Sequence, residues 1–206
     1  MEYNFILGIF GEGRVGKTCI VKRFLGEGFD EKEESSSDAD KVEKTIDIGK
    51  DVVNLEIYDL PGQEAFHSFA TNYIKGLNGV ILVYDIVTKY SFEKIDFWFK
   101  QMQENLDKNI PILLMANKCD LEEQRVITKE EGEKLAKEKN MMFYECSAKN
   151  GQNVQCAIEE LAKKLLKAQQ QSTKKEPEKQ EDKKQDIKKK KKICCFLNVL
   201  LKIMII

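Results

Sequence analysis

The chain has 206 residues, 42% of them apolar, which suits one core-bearing domain and a tail. Its net charge of −1 hides an asymmetry: residues 172–206 hold 11 Lys and 5 acids, and the remainder holds 23 basic and 30 acidic residues. An acidic body with a basic tail argues against nucleic-acid binding and for a tail that meets an anionic surface.

The first apolar run, within "MEYNFILGIFGEG", lacks a basic leader and a small-residue cleavage site, so it reads as a buried strand over Phe5–Phe10 rather than a secretory signal. "GEGRVGKT" follows, Gly11 to Thr18, and fits G-x-x-x-x-G-K-[ST] between a strand and a helix. Glycines at 11, 13 and 16 let the loop amides, with those of Arg14 and Val15, turn inward around phosphate oxygens. The helix start at Lys17, Thr18 and Cys19 adds its dipole. Lys17 then bridges the β- and γ-phosphates, and the Thr18 hydroxyl ligates Mg²⁺. A chance Gly-rich turn is the competing reading, and the strand-loop-helix context disfavours it. Arg14 invites an internal arginine-finger role, but a side chain at that loop position normally points to solvent.

Thr45–Ile48 is a weaker strand, joined by the turn "GKD" to a strand at Leu55–Tyr58. There the text reads "LEIYDLPGQEAF". An acid at a strand end, Asp59, can hold a metal, and Gln63 just past Gly62 can hold a water; alone, the stretch also fits a strand followed by a polar turn. Val80–Tyr84 is the next strand. Phe92, Ile95, Phe99, Met102 and Leu106 then form one apolar helix face, with Ser91 as its expected N-cap. A strand over Ile110–Ala116 leads into "NKCD", Asn117–Asp120. Thr128 and Glu131 form a capping box for another helix. A strand at Met142–Glu145 leads into "CSAK", Cys146–Lys149. Val154, Ala157, Ile158, Leu161, Ala162 and Leu165 mark the last helix. Apolar strands alternating with amphipathic helices give an α/β fold: a mostly parallel sheet covered on both faces, with functional loops at the carboxyl ends of its strands.

The last two loops select the base. A carboxylate at Asp120 accepts from the N1–H and exocyclic amine of guanine, a donor pair that adenine lacks. Lys118 can lie along the base plane, and the Ala148 N–H can meet the guanine carbonyl. Each motif is weak alone; their order after a phosphate loop, each at a strand end, makes them specific.

These motifs, with "GVILVYDI" and "ECSAKNGQNV", resemble the Ras superfamily of small GTPases and within it the Rab family, from about Asn4 to Ala168. The resemblance implies a P-loop G-domain with a six-stranded sheet, five strands parallel and one antiparallel, and five main helices. It extends the nucleotide set to Asn117, Ser147 and Lys149. It also implies that Asp59 holds Mg²⁺ through a water, that Gly62 contacts the γ-phosphate, and that Gln63 orients the attacking water as the catalytic residue. Implied ligands are GTP or GDP and Mg²⁺. Implied partners are an exchange factor, a GTPase-activating protein and effectors, with the chain itself a monomer.

Two places depart from the Rab pattern. Pro61 stands where Rab proteins carry Ala; it fixes φ and restricts Leu60. Translation elongation GTPases carry Pro-Gly at the equivalent place, and Gly13 leaves room beside the catalytic Gln, so hydrolysis is expected to survive. The first switch is "EESSSDADKVEK", without the family's T-I-G-x-D-F. Ser36 lies 19 residues after Lys17 and 23 before Asp59, where the family places its Mg²⁺-ligating Thr. The competing reading is an acidic, serine-rich loop. Phe29, seven residues before Ser36, falls where the family stacks an aromatic on the base, unless it is an ordinary core ring. His67, the single His, reads as a surface residue.

The six Cys have no disulfide spacing, so Cys19, Cys119, Cys146 and Cys156 are expected as free thiols in a reducing compartment. No zinc spacing is present. The expected organisation is a G-domain over 1–168, a disordered basic linker over 169–193 and an anchoring tail over 194–206. Lys188–Lys192 favour an anionic leaflet, and Cys194 and Cys195 resemble a Rab lipidation pair. Eleven residues follow that pair, an unusual position for it. As a helix those eleven reach only about 16 Å, half of a hydrocarbon core, so they do not span. Trimming of the end, S-acylation and insertion of the apolar end are the alternatives to double prenylation. The expected place is the cytoplasmic face of an intracellular membrane, with a cytosolic pool. The leading function is a GTP-hydrolysing switch in vesicle traffic. A nucleotide-holding pseudo-GTPase is the alternative, and an ATP-dependent enzyme is disfavoured by Asp120.

Overall fold

A computed structural model of the chain describes residues 1–29, 40–59, 76–106 and 110–172. Ser36, Pro61, Gly62, Gln63, His67, Cys194 and Cys195 lie outside these. The chain divides into two compact units, Met1–Leu165 and Leu166–Ile206.

In the first unit, β1 (Glu2–Phe10) leads through the phosphate loop to α1 (Lys17–Leu25). β2 (Asp40–Ile48) and β3 (Asp51–Asp59) form a hairpin whose turn is Gly49-Lys50. Gly49 has φ +65, a left-handed value that glycine adopts at no steric cost. β4 (Gly79–Asp85) precedes α2 (Lys89–Glu93) and α3 (Ile95–Asn105). β5 (Ile112–Asn117), a short 3-10 turn at Glu122–Gln124, α4 (Lys129–Glu138) and β6 (Met142–Glu145) follow. α5 begins at residue 154 in the first unit, and in the second unit the described residues, through 172, are helical too, which includes the first four residues of the expected linker, 169–172.

The strands form one six-stranded sheet in the order β2-β3-β1-β4-β5-β6. Only β2 runs antiparallel to its neighbour, and the other pairs are parallel. This is the α/β sheet the sequence pattern implies. Burial explains the patterns. β4 is buried at every position because helices cover both faces of the sheet centre. β3 lies one strand nearer the edge and alternates buried with half-buried residues along its length. The register brings the carboxyl ends into line: Ile9 pairs with Asp59, Phe10 with Leu82, Asp85 with Asn117, and Ala116 with Glu145.

Two local expectations change. The helix after β4 is interrupted: α2 ends at Glu93, and Lys94 (φ −76, ψ −11) both caps it and starts α3. Ser91 is not an N-cap; Thr88 holds that place. The Ser91 hydroxyl is buried, accepting from the Asp85 amide at 3.0 Å and donating to the Thr88 carbonyl at 2.7 Å. It closes the strand-to-helix corner instead of starting a helix. The apolar face itself holds, with Ile95 and Met102 buried and Phe92, Phe99 and Leu106 packed against the same core. Trp98, outside the expected stripe, is the largest fully buried side chain in it. The Thr128–Glu131 capping box forms in both directions, at 2.8 and 3.2 Å.

Candidate nucleotide site

The phosphate loop needs its glycines for space. Gly11 has φ +146, and a Cβ there would stand 2.3 Å from the Val83 carbonyl oxygen on β4. Gly16 has φ +93, and a Cβ there would stand 2.5 Å from Asn117 Nδ2. Gly13 differs: a Cβ there would meet nothing within 4 Å, so packing within the described residues does not require glycine. Arg14 is exposed, with φ +63, and no contact in the site among the described residues supports an arginine-finger role for it.

Helix α1 starts where the cradle ends. Its hydrogen-bond ladder opens with the Ile20 amide on the Gly16 carbonyl at 2.9 Å. The amides of Lys17, Thr18 and Cys19 therefore precede that ladder, at the positive end of the helix dipole. Lys17 is buried, and its ammonium donates to the Gly11 and Glu12 carbonyls, each at 3.1 Å. Burial lowers its pKa, and the charges of Asp59 and Glu12 oppose that shift. A buried ammonium at the N-terminus of a helix is a site for an anion.

Beside it, Thr18 Oγ1 donates to Asp59 Oδ2 at 2.5 Å, joining α1 to the end of β3. Both are hard oxygen donors at the mouth of the phosphate loop and fit Mg²⁺, which takes one or two side-chain ligands together with substrate phosphates. No group of three or more His, Cys, Asp or Glu side chains suited to a metal exists among the described residues. Mg²⁺ held in this way does not need one.

Asn117, at the end of β5, joins the loops. Its Nδ2 donates to the Val15 carbonyl at 2.8 Å, reaching the phosphate loop. Its Oδ1 accepts from the Ala148 amide at 3.0 Å and from Cys146 Sγ at 3.7 Å, reaching the loop after β6. The Ala148 N–H, expected to meet the base carbonyl, is thus bound to Asn117 here. Ser147 Oγ donates to Asp120 Oδ1 at 2.5 Å and accepts from the Asn150 amide at 3.2 Å. Asp120 is exposed, which leaves its carboxylate accessible to a base edge. Lys118 sits at φ +67 and pairs with Asp85 Oδ2 rather than lying over open space. Lys149 is exposed at the loop end. Phe29 is 37% exposed and so is not a core ring, which keeps it available for stacking.

Three residues of the site escape a sequence reading. Asp85 is buried at the end of β4, where it accepts from the Val87 amide at 2.8 Å and holds Lys118. An acid ending an apolar strand, the signal that marks Asp59, marks it too. Arg23 on α1 donates to the Ala148 carbonyl at 2.9 Å and the Lys149 carbonyl at 2.6 Å, clasping a loop 125 residues away. Nothing local in the sequence announces that contact. Glu12 is a buried acid within the phosphate loop itself.

Among the described residues, none of the four cysteines, Cys19, Cys119, Cys146 and Cys156, forms a disulfide. Burial raises the pKa of Cys119 and Cys146, so neither is a thiolate nucleophile.

Comparison with known proteins agrees with this geometry. A Ras family model matches residues 7–167. The Ras-related protein Rab-13 of Bos taurus is 39% identical over 165 residues, covering 80% of this chain and 81% of that protein. Rab-10 of Caenorhabditis elegans is 37% identical over 162 residues, with 79% and 81% covered, and Rab-8B of Bos taurus is 36% identical over 165 residues, with 80% of each covered. With three loops converging on one strand-end crevice and this match across most of its length, the chain belongs to the Ras superfamily as a Rab-like small GTPase.

Proposed function

We propose that this chain binds GDP and GTP with Mg²⁺, hydrolyses GTP slowly, and acts as a switch in vesicle-mediated membrane traffic. The observation that carries the reading is Asn117, whose amide bonds both the phosphate loop and the loop after β6 and so builds a phosphate site and a base site as one unit. In this reading Gly11 to Cys19 hold the phosphates, Asp120 with Ser147 and Ala148 reads guanine, and Lys118 and Phe29 flank the base. Thr18 and Asp59, with Ser36, hold Mg²⁺, which neutralises charge on the transferring phosphate when bound. Gly62 meets the γ-phosphate and Gln63 orients water. An exchange factor and a GTPase-activating protein set the two rates, and effectors read the GTP form.

Competition binding tests the base choice. GDP should outcompete ADP by at least ~10²-fold, and Asp120→Asn should move the preference towards xanthine nucleotides. Equal affinity for the adenine and guanine forms would remove the assignment.

The tail reading places the protein on the cytoplasmic face of an intracellular membrane, as a monomer with a cytosolic pool. Among the described residues, no helix is long and apolar enough to cross a membrane. Attachment therefore rests on Lys188–Lys192, lipid on Cys194 and Cys195, and the apolar end. The Lys contribution is screened by salt, whereas two lipid chains resist it. Changing both Cys to Ser should release the full-length chain to the cytosol. Removing residues 196–206 should leave it bound. The opposite pair of results would sink the lipid account and assign attachment to the apolar end.

A further inference from the structure

A carboxylate is an unexpected side chain in a loop that cradles polyphosphate, because it repels the ligand and is costly to bury. Glu12 is nevertheless only 7% exposed. One contact explains how it is held: Trp98 Nε1–H donates to Glu12 Oε1 at 3.1 Å. Trp98 is the only Trp of the chain, is 1% exposed, and comes from α3, 86 residues away. Its ring is fixed in turn by Phe10 at the end of β1 and by Phe97, with centroids 6.0 and 5.6 Å away. The backbone of Glu12 faces the site. Its carbonyl, with that of Gly11, docks the Lys17 ammonium. A rotation of Glu12 would therefore move one of the two oxygens on which Lys17 rests.

We propose that Trp98 is a positioning residue for the phosphate site, its indole N–H fixing the Glu12 carboxylate and, through it, the carbonyl pair that docks Lys17. The inference rests on the nucleotide reading above. It adds a residue outside all three nucleotide loops, on helix α3. A Phe at position 98 keeps an aromatic ring in the core and removes only the donor and part of the ring's volume. The carboxylate then lacks the bond that orients it, and Lys17 loses a fixed seat.

The test is GDP release from the full chain in Mg²⁺, measured for the parent, Trp98→Phe, Glu12→Ala, the double variant and Glu12→Gln. Trp98→Phe should speed release by about tenfold, the share of one hydrogen bond to a charged group, and Glu12→Ala should release about tenfold faster than Glu12→Gln, since both remove the carboxylate charge and only Gln still accepts from the indole. The double variant should release no faster than the quicker single, since both remove the same bond. Glu12→Gln should recover most of the loss, because its amide oxygen still accepts from the indole. Additive effects, or Trp98→Phe at the parent rate, overturn the proposal. If Trp98→Phe does not fold, the Glu12 pair decides: Glu12→Gln releasing as fast as Glu12→Ala overturns it, and recovery supports it. A parent that binds no GDP overturns the nucleotide reading and this proposal together, whereas a parent that binds GDP with unmoved variants overturns this proposal alone.

Discussion

Asn117→Ala should weaken GDP binding by at least ~10²-fold, a loss of about 2.7 kcal/mol or more. The side chain makes a donor contact to the Val15 carbonyl and accepts from the Ala148 amide, and it is 1% exposed. Removing it leaves both backbone groups without that partner, each at a cost of roughly 1–3 kcal/mol. Part of this appears as lost stability, a visible fraction of a domain's usual 5–15 kcal/mol. The rest appears in binding. With Asn117 present, the phosphate loop and the base loop are already in register before the ligand arrives. Without it, the nucleotide must order them, and that ordering entropy is subtracted from affinity. Calorimetric titration of GDP and thermal melting with and without ligand separate the two parts. Asn117→Asp is the sharper control. It keeps an acceptor for the Ala148 amide but sets an oxygen against the Val15 carbonyl, so it should fare no better than Ala. GDP affinity within about threefold of the parent for both variants would show that the loops are registered by other contacts.

Much of this site was legible in the sequence, and the reason is local chemistry. Gly11, Gly16, Lys17 and Thr18 occupy a loop whose conformation is dictated by positive φ and by crowding from neighbouring strands, so their spacing is visible in a short string. The strand pattern was equally plain, since β4 and β5 lie in the buried centre of the sheet and read as apolar runs. β2 was underestimated, starting at Asp40 rather than Thr45, because it is the edge strand and its first residues are mostly exposed and charged. Its pairing comes from the β3 ladder, not from its own composition.

The contacts that escaped are long in sequence. Arg23 on Ala148 and Lys149, Trp98 on Glu12, and Lys118 on Asp85 join residues that only the fold brings together. The role expected of Ser91 failed for a related reason. A serine before an apolar helical stripe resembles an N-cap, but the helix had already begun at Lys89, and the hydroxyl was drawn to the Asp85 amide by the tight exit from β4. Asp85 thus organises both the Ser91 corner and the Lys118 side chain. Its backbone amide holds Ser91 and its buried carboxylate holds Lys118.

Gln63→Leu should separate chemistry from binding. In the proposed reading the phosphates are held by Gly11 to Cys19 and not by Gln63, so GTP affinity should stay near the parent's. Hydrolysis should slow by on the order of 10²-fold, the scale of a reacting group that is no longer positioned. Lys17→Ala should do the reverse. Its buried ammonium is held on two carbonyls beside Asp59 and Glu12, and the loss of water that lowers its pKa is a cost an anionic ligand offsets. Its loss should weaken GTP and GDP binding while leaving Gln63 in place. Single-turnover hydrolysis with saturating nucleotide, run with and without a GTPase-activating protein, distinguishes the two. If Gln63→Leu turns over at the parent rate in both conditions, another group orients the water. If neither the parent nor Gln63→Leu hydrolyses GTP at all while the parent still binds it, the chain is a nucleotide-holding binding module. Pro61, two residues before Gln63, is then the first substitution to reverse, since Pro61→Ala restores the Rab-like backbone freedom at that turn.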